Sequence, residues 1–460
     1  MRTLCAISVM LFLAAMPTGA TPLTIIFTDA QDTHDPIGRL EFGANPLESY
    51  GSASGSKGMV VLCAIPRPDK STMVFAVMGP RHEPRRICRA KTFDGANYSD
   101  FEEVYVTEPG RWLLSAAIVY DESKHAITAY MSRSTDSGHG IWGFRSVDGG
   151  DSWKPLGEGP LFRDHDAFSV IWDARAREYV FYNTTYEAHE KLFPDNLGAD
   201  RRRVQHIRTS KDGIRWRPND DVTLASPAKP EMGLIVPDED DPPETEFYQL
   251  NVFAYADRYA AKMLLYAPTR PDVWPPDPET GRYRHGPFTW AEWWVSHDGR
   301  NWQRPYRDTY ALGEASIWLC GMPLTASGKQ LWVYGGKLFG VLEKHLFYVT
   351  SKGNAAFSTR PFEMPDTQLL LNAEMTSPFQ PSKTDYLNPS YIMAEITDKR
   401  GKTIEGYENG KCVFQSLGQG LVPLQWEGRD ATELVGTQVR LRLYLRSARI
   451  YAVTAAQRSS

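Results

Sequence analysis

Apolar and polar residues alternate along most of this chain with a period of two, in short runs cut by Gly, Asp and Asn. Phe168 to Asp173, Tyr179 to Thr184 and Val204 to Thr209 form one such series, and Leu250 to Tyr255, Ala261 to Ala267 and Thr289 to Val295 another. A period of two sends successive side chains to opposite faces, so each run predicts a β-strand. Each series ends in a turn of the same composition, Ser210-Lys211-Asp212-Gly213-Ile214-Arg215-Trp216 in the first and Ser296-His297-Asp298-Gly299-Arg300-Asn301-Trp302 in the second. Two strands and a third entering a turn, with a fourth leaving it, make a four-stranded unit.

The fullest form of the turn is Ser146-Val147-Asp148-Gly149-Gly150-Asp151-Ser152-Trp153. Its Asp can accept hydrogen bonds from the turn's own N–H groups, its Gly tolerates positive φ, and its Trp is a large apolar plug. Two weaker copies flank the series: Thr92-Phe93-Asp94-Gly95-Ala96-Asn97-Tyr98, and Ser351-Lys352-Gly353-Asn354-Ala355-Ala356-Phe357, which keeps only the Gly and an aromatic. Units repeated at this spacing without a helical period predict a β-propeller. The octapeptide also resembles the Asp-box of sialidases and related propeller proteins, with Ser152 where that pattern has Thr.

Five units are expected: from about Gly58, Leu113, Ala167, Gln249 and Ile317, the last running to Phe362, with residues 21 to 57 supplying a closing strand and a covering loop. From Leu369 the turns disappear. Leu369 to Ala373, Tyr391 to Ile396, Val422 to Trp426 and Val439 to Leu445 alternate cleanly and predict a two-layer sheet. The expected fold is therefore all-β, a five-bladed β-propeller over 21–365 followed by a small C-terminal β-sandwich over 366–460.

Composition adds a compartment. Arg2, the apolar run Leu4 to Ala15 and the small residues up to Ala20 read as a signal peptide over 1–20, so a secreted or periplasmic protein is expected. The run is too short to span a membrane. A net charge of −5 over 460 residues, with no basic run longer than Arg201-Arg202-Arg203, argues against a nucleic-acid surface. A monomer is expected. Cys63, Cys88, Cys320 and Cys412 read as buried free thiols.

The order of propeller and sandwich, the loop Pro237 to Pro243 leading to Phe247-Tyr248, and the ending from Val435-Gly436 to Ile450-Tyr451 resemble secreted invertase-like (fructosidase-type) or sialidase-like glycoside hydrolases. That resemblance implies a carbohydrate substrate. The chain departs from it at the start, where the Asn-Asp-Pro-type segment bearing the invertase nucleophile is absent and Thr33-His34-Asp35-Pro36 stands instead.

In a propeller the lead-in to each innermost strand and the loop between second and third strands share one end, while the Asp-Gly turns occupy the other. Asp148, Asp212 and Asp298 are therefore read as structural. At the first end lie Arg163-Asp164-His165-Asp166, Glu244-Thr245-Glu246-Phe247-Tyr248 and Gly313-Glu314. Glycoside hydrolysis needs one protonated acid and one carboxylate, and crowding like charges separates their acidities. Asp166 and Glu246 are the expected catalytic pair, with Glu314 a third carboxylate. Arg163, His165, Tyr248, Trp274 and Trp290 are the expected substrate-binding residues, the aromatics stacking on sugar rings. No metal is expected: the histidines lack zinc spacing, and Asp238-Glu239-Asp240-Asp241, considered for calcium, lacks alternating ligands. A non-catalytic carbohydrate-binding propeller and a sialidase are the alternatives. The sialidase ranks lower because Arg89, Arg145 and Arg208 sit near the turns.

Overall fold

A computed structural model describes residues 23–55, 58–78, 86–106, 113–135, 138–191, 194–195, 197–242, 244–266, 289–307, 323–326, 329–334, 336–341, 345–376, 390–417 and 420–456. The signal-like segment, Trp274, Glu314, Cys5 and Cys320 lie outside them. The protein is all-β among the described residues, with only 3-10 turns between strands.

Five small antiparallel meanders follow one another. Sheet one is Val60–Pro66, Thr72–Met78, Arg86–Thr92 and Ser99–Val106; sheet two is Leu113–Asp121, Ala126–Thr135, Gly138–Ser146 and Lys154–Pro155. Sheet three is Phe168–Asp173, Glu178–Ala188 and Arg201–Ser210; sheet four is Glu246–Tyr255, Arg258–Tyr266 and Thr289–Ser296. In these two the expected fourth strand shrinks to single bridges, Thr209 to Arg217 and Val295 to Gln303. Sheet five is Leu324–Ala326, Lys329–Tyr334 and Lys337–Gly340, and the N-terminal strand Glu48–Ser52 pairs antiparallel with its last strand.

The first strands of sheets one to four lie side by side in chain order, and the first strand of sheet five lies against that of sheet one. Apolar clusters fill the spaces between neighbouring sheets. Phe75 and Ile118 meet between sheets one and two, Phe162 and Phe181 between two and three, and Tyr182 and Phe247 between three and four. Trp293 and Trp332 join sheets four and five, and Val74 and Val333 join five and one.

The Asp-Gly turns repeat one geometry. Asp94, Asp212 and Asp298 each accept the N–H groups two and three residues onward at 2.8 Å through Oδ1. The hydroxyl that opens each turn accepts the Gly N–H: Thr92 from Gly95, Ser210 from Gly213 and Ser296 from Gly299, all at 2.9 Å. Each turn then docks on the preceding sheet. Phe75, Tyr130 and Tyr182, on second strands, pack edge-on against Trp153, Trp216 and Trp302 of the following turns. The hydroxyls of Tyr130 and Tyr182 also donate to the carbonyls of Gly213 (3.1 Å) and Gly299 (2.8 Å). Arg89 and Arg145 reach the carbonyls of Gly149 and Asp212 in the same way, as their expected place near the turns requires.

Two predictions arise here. Gly213 has φ +77°, and a Cβ there would stand 2.6 Å from the Tyr130 hydroxyl; Gly149 has φ +78° with nothing within 4 Å. Gly149→Ala is expected to cost about 1 kcal/mol for backbone strain alone, and Gly213→Ala about 2–4 kcal/mol because overpacking is added. Urea midpoints of the two variants measure the docking contact by difference. The second prediction concerns acid. Hydrogen bonds from the Ser152 hydroxyl and N–H hold the Asp148 carboxyl well below its ordinary 3.8. At Asp212, burial acts upward but is outweighed by the N–H groups of Arg215 and Ile214. Folded acidities below the unfolded value give stability that is present above 3.8 and lost as pH falls through the folded values. Asp148→Asn should flatten the fall of the thermal midpoint below pH 4; an unchanged slope would count against these turns as its source.

Two six-stranded sheets account for the remaining strands among the described residues. One runs Leu421–Pro423, Leu369–Met375, Ala448–Ala455, Phe347–Ser351, Glu41–Ala44, with Thr24–Ile26 also on Ala448–Ala455. The other runs His34–Ile37, Ala355–Ser358, Gln438–Arg446, Tyr391–Asp398, Val413–Phe414, with Phe362–Glu363 also on Gln438–Arg446. They share one core, including Leu371, Ile450, Phe357, Ile396 and Leu443. Their strands come from residues 24–44 and 347–363 as well as 369–455, on both sides of the 365/366 position. The weakest turn copy, Ser351 to Phe357, is not a turn within a meander as expected: it carries the chain from one six-stranded sheet to the other. It lacks the Asp that closes the other turns, and its Ser351 hydroxyl donates to the Gly353 carbonyl at 2.7 Å instead of accepting a turn N–H. Cys63, Cys88 and Cys412 are free thiols. Among the described residues no helix is long and apolar enough to cross a membrane.

Candidate functional site

The lead-ins to sheets three and four meet the far end of the long hairpin Glu178–Ala188/Arg201–Ser210. The Asp-Gly turn of sheet four touches the other end of sheet three, where Arg300 donates to Asp173 Oδ2 at 3.2 Å. Carboxylates of the lead-ins and turn carboxylates therefore sit at opposite ends of sheet three.

Asp166 is one-third exposed at its side chain, and its Oδ1 lies 2.8 Å from His165 Nδ1. Burial acts to raise its carboxyl, but the His165 hydrogen bond and the charges of His165 and His139 outweigh it, leaving Asp166 below the ordinary carboxylate value. His165 is buried, and the same Nδ1 faces the Ala167 N–H at 3.0 Å. One ring nitrogen can accept from Ala167 or donate to Asp166, not both. Tyr186 and Tyr248 flank the His165 ring at 5.3 and 5.6 Å.

Glu246 is 3% exposed. Its Oε1 contacts Lys191 Nζ, and its Oε2 accepts from Arg203 Nη1 at 2.6 Å. Burial raises its carboxyl above the ordinary value despite these two cations. Lys191 also reaches Asp195 at 2.9 Å, and the Arg203 guanidinium lies over the Tyr248 ring at 5.8 Å. Both nominated carboxylates thus fall in one cluster: Glu246 is bonded to Arg203, Arg203 overlies Tyr248, and Tyr248 abuts His165 beside Asp166.

The other expected residues fare differently. Tyr248 is in the cluster, its ring tilted 40° against that of Tyr266 at 4.5 Å. Arg163 is pinned by its backbone, its N–H donating to Asp221 Oδ1 at 2.7 Å and its carbonyl accepting from Val222 at 2.9 Å. Trp290 packs against the core between sheets three and four, its indole N–H donating to Glu292 at 3.1 Å. The loop considered for calcium is neutralised instead: Arg304 grips Asp241 at 2.5 and 2.7 Å, and Arg307 contacts Asp238. Asp238 and Asp241 thus face guanidinium groups.

Several contacts here escaped the sequence reading, and Arg208, expected near the turns, instead places its guanidinium on the lead-in acid Asp164. Asp164, fully buried, accepts from Arg208 Nη2 at 2.7 Å and from the His165 N–H at 2.9 Å. Arg208 also donates to the carbonyls of Pro218 and Asp220 and covers the Phe162 ring at 4.4 Å, so it stiffens the Arg163–Asp166 turn from below. His206, fully buried one step along the same strand face, lies 3.9 Å from Asp164. From sheet two, His139 bonds Ser132 at 3.1 Å and sits close enough to Asp166 to act on its charge. A signal did exist: Arg203, Gln205, His206 and Arg208 are polar residues within a strand buried on both faces. Such polar positions need buried partners.

No family model matches this chain, and no curated protein matches it. Among solved structures it is similar to a fructofuranosidase from Schwanniomyces occidentalis complexed with fructose, at 8% identity over 89% of this chain and 97% of that one, with a TM-score of 0.38. An N-acetylgalactosamine deacetylase from F. plautii, in complex with blood group B trisaccharide, matches at 10% identity over 91% and 95%, with a TM-score of 0.38. An alpha-L-arabinofuranosidase from Clostridium thermocellum matches at 12% identity over 61% and 83%, with a TM-score of 0.35. Likeness this distant assigns no chemistry to the residues above.

Proposed function

We propose that this chain is a secreted carbohydrate-active protein built as a closed five-bladed β-propeller with a β-sandwich beside it, and that it hydrolyses glycosidic bonds of an oligo- or polysaccharide. Closure is supported by the apolar clusters between all five successive pairs of meanders and by Glu48–Ser52 on the edge of the fifth. Export rests on the sequence of residues 1–20.

The observation that carries the hydrolase reading is the cluster at the lead-in end of sheets three and four, where two carboxylates are pushed in opposite directions among aromatic rings. Asp166, lowered and part-exposed, is the ionised group that attacks carbon or activates water. Glu246, raised by burial, is the proton donor. Tyr186 and Tyr248 offer faces for a sugar ring, Arg163 and His165 offer hydroxyl contacts, and Glu314, Trp274 and Trp290 are the remaining proposed contributors.

One observation favours a second reading. Both Glu246 oxygens are occupied by cations, an arrangement suited to holding a binding surface rigid rather than to giving up a proton. On that reading the propeller binds carbohydrate without cleaving it. Reducing-sugar release from a panel of plant and algal polysaccharides, with Asp166→Asn beside the wild type, separates the two. Release lost in the variant supports the hydrolase; retained glycan binding with no release from the wild type supports the binding propeller.

A further inference from the structure

At the opposite end of sheet four from Glu246, the N-terminal segment crosses the Asp-Gly turn. Asp29 caps a single 3-10 turn, Ala30–Asp32, of which Asp32 is the last residue, and both are more than nine-tenths buried. Facing them is His297, from the turn that follows Thr289–Ser296. One ligand atom from each of the three lies within 4.8 Å of the others. His297 Nε2 is 3.3 Å from Asp29 Oδ2 and 4.0 Å from Asp32 Oδ1.

These separations are long for charge-assisted hydrogen bonds, which run at about 2.7–2.9 Å. Atoms about 2.0–2.2 Å from one tetrahedral centre stand roughly 3.3–3.6 Å apart; the Asp29 separation is already of that length, and the Asp32 separation would have to close by about 0.4 Å. A second observation is independent of that spacing. Asp29 Oδ1 accepts from the Gln31 N–H at 2.8 Å and lies 3.4 Å from His297 Nε2, whereas Asp29 Oδ2, 3.3 Å from the same nitrogen, is buried without a hydrogen bond. A buried carboxylate oxygen in that condition is costly unless something positive completes it.

We propose that Asp29, Asp32 and His297 bind one divalent transition-metal ion, zinc by the mixed imidazole–carboxylate donor set, which clasps the N-terminal segment to sheet four. Asp32 is already oriented for this. Its Oδ2 accepts from the Thr28 N–H at 2.6 Å and the Thr28 hydroxyl at 3.0 Å, and Arg258 Nη1 bonds both carboxylate oxygens at 2.5 Å, leaving the second lone pair of Oδ1 for the ion. Such outer bonds fix the ligand's geometry. With His297 neutral, two carboxylates and Arg258 sum to −1, so a divalent ion leaves the centre at +1. His297, 30% exposed at its side chain, marks the access path, and a water would complete the shell. Imidazole in the set disfavours calcium and magnesium, which take oxygen ligands.

The test uses the whole chain stripped with a chelator and titrated with zinc by calorimetry at pH 7. One zinc per chain and a raised thermal midpoint are expected, with affinity at least about tenfold weaker in both Asp29→Asn and His297→Ala, and no comparable effect of calcium or magnesium. Cobalt substitution of the wild type should give the visible absorption of a four-coordinate nitrogen–oxygen site, a readout that survives if a variant does not fold. No stoichiometric zinc, zinc binding indifferent to both substitutions, or cobalt without that band would each overturn the proposal and leave an ion-pair cluster. Glycan hydrolysis enters none of these readouts, so the clasp and the proposed function stand or fall separately.

Discussion

Lys191→Met is expected to lower unfolding stability by about 3 kcal/mol at pH 7, read from urea denaturation, because it strips one of two cations from a buried carboxylate. The side chains of Lys191 and Glu246 are only 3% and 4% exposed, so solvent cannot screen the loss. Methionine keeps most of the apolar stem, so packing contributes little. The figure sits at the low end of the range for breaking a buried pair because Arg203 remains on Oε2. The pH dependence follows from the direction of the Glu246 shift. A carboxyl raised in the folded state favours folding below its unfolded value and loses that contribution as pH rises through the folded value. Removing Lys191 raises it further. The variant's deficit should therefore shrink from pH 7 towards pH 4.5, the ordinary value for a Glu carboxyl. A deficit constant over that range would mean that Glu246 does not carry it.

Asp166→Asn is expected to reduce glycoside hydrolysis by about 10²–10⁴-fold while leaving the thermal midpoint near that of the wild type. The amide matches the carboxylate in shape and can still meet His165, but it can neither attack carbon nor take a proton from water. Because Asp166 is held below 3.8, the acid limb of the wild-type rate, on which Asp166 protonates, should lie below that value. That acid limb should vanish from the residual rate of the variant. Equal rates in variant and wild type would remove Asp166 from the chemistry. An unmatched drop in thermal midpoint would assign the loss to folding instead, and Glu246→Gln, assayed beside it, tests the partner.

The repeated turns were the most legible feature of this chain, because their geometry is local. In Ser210-Lys211-Asp212-Gly213 the hydroxyl, the carboxylate and the glycine all act within a few residues, so composition alone announces the bonds that form. Strand limits were legible only in part: Phe168–Asp173 begins and ends where its alternation does, whereas the runs Tyr179 to Thr184 and Val204 to Thr209 extend to Glu178–Ala188 and Arg201–Ser210. The candidate site was half legible. Acidic residues before the first strands of sheets three and four could be seen, and Asp166 and Glu246 do share a cluster. Their partners could not be seen, since Lys191 lies 55 residues before Glu246 and is brought to it by the bend of a hairpin.

Sequence by itself determined that the chain is all-β, where its hairpins turn, and which residues plug them, because period-two alternation and Asp-Gly-aromatic turns act over short range. Tertiary structure alone decided the rest. It sent Phe347–Ser351 and Ala355–Ser358 into different sheets, since the turn between them lacks the carboxylate that would fold it back. It placed Glu246 between two cations, and it set Asp29 and Asp32 against His297. Each of those outcomes depends on contacts between segments far apart in the chain, where burial makes unpaired charge costly and local pattern carries no information about the partner.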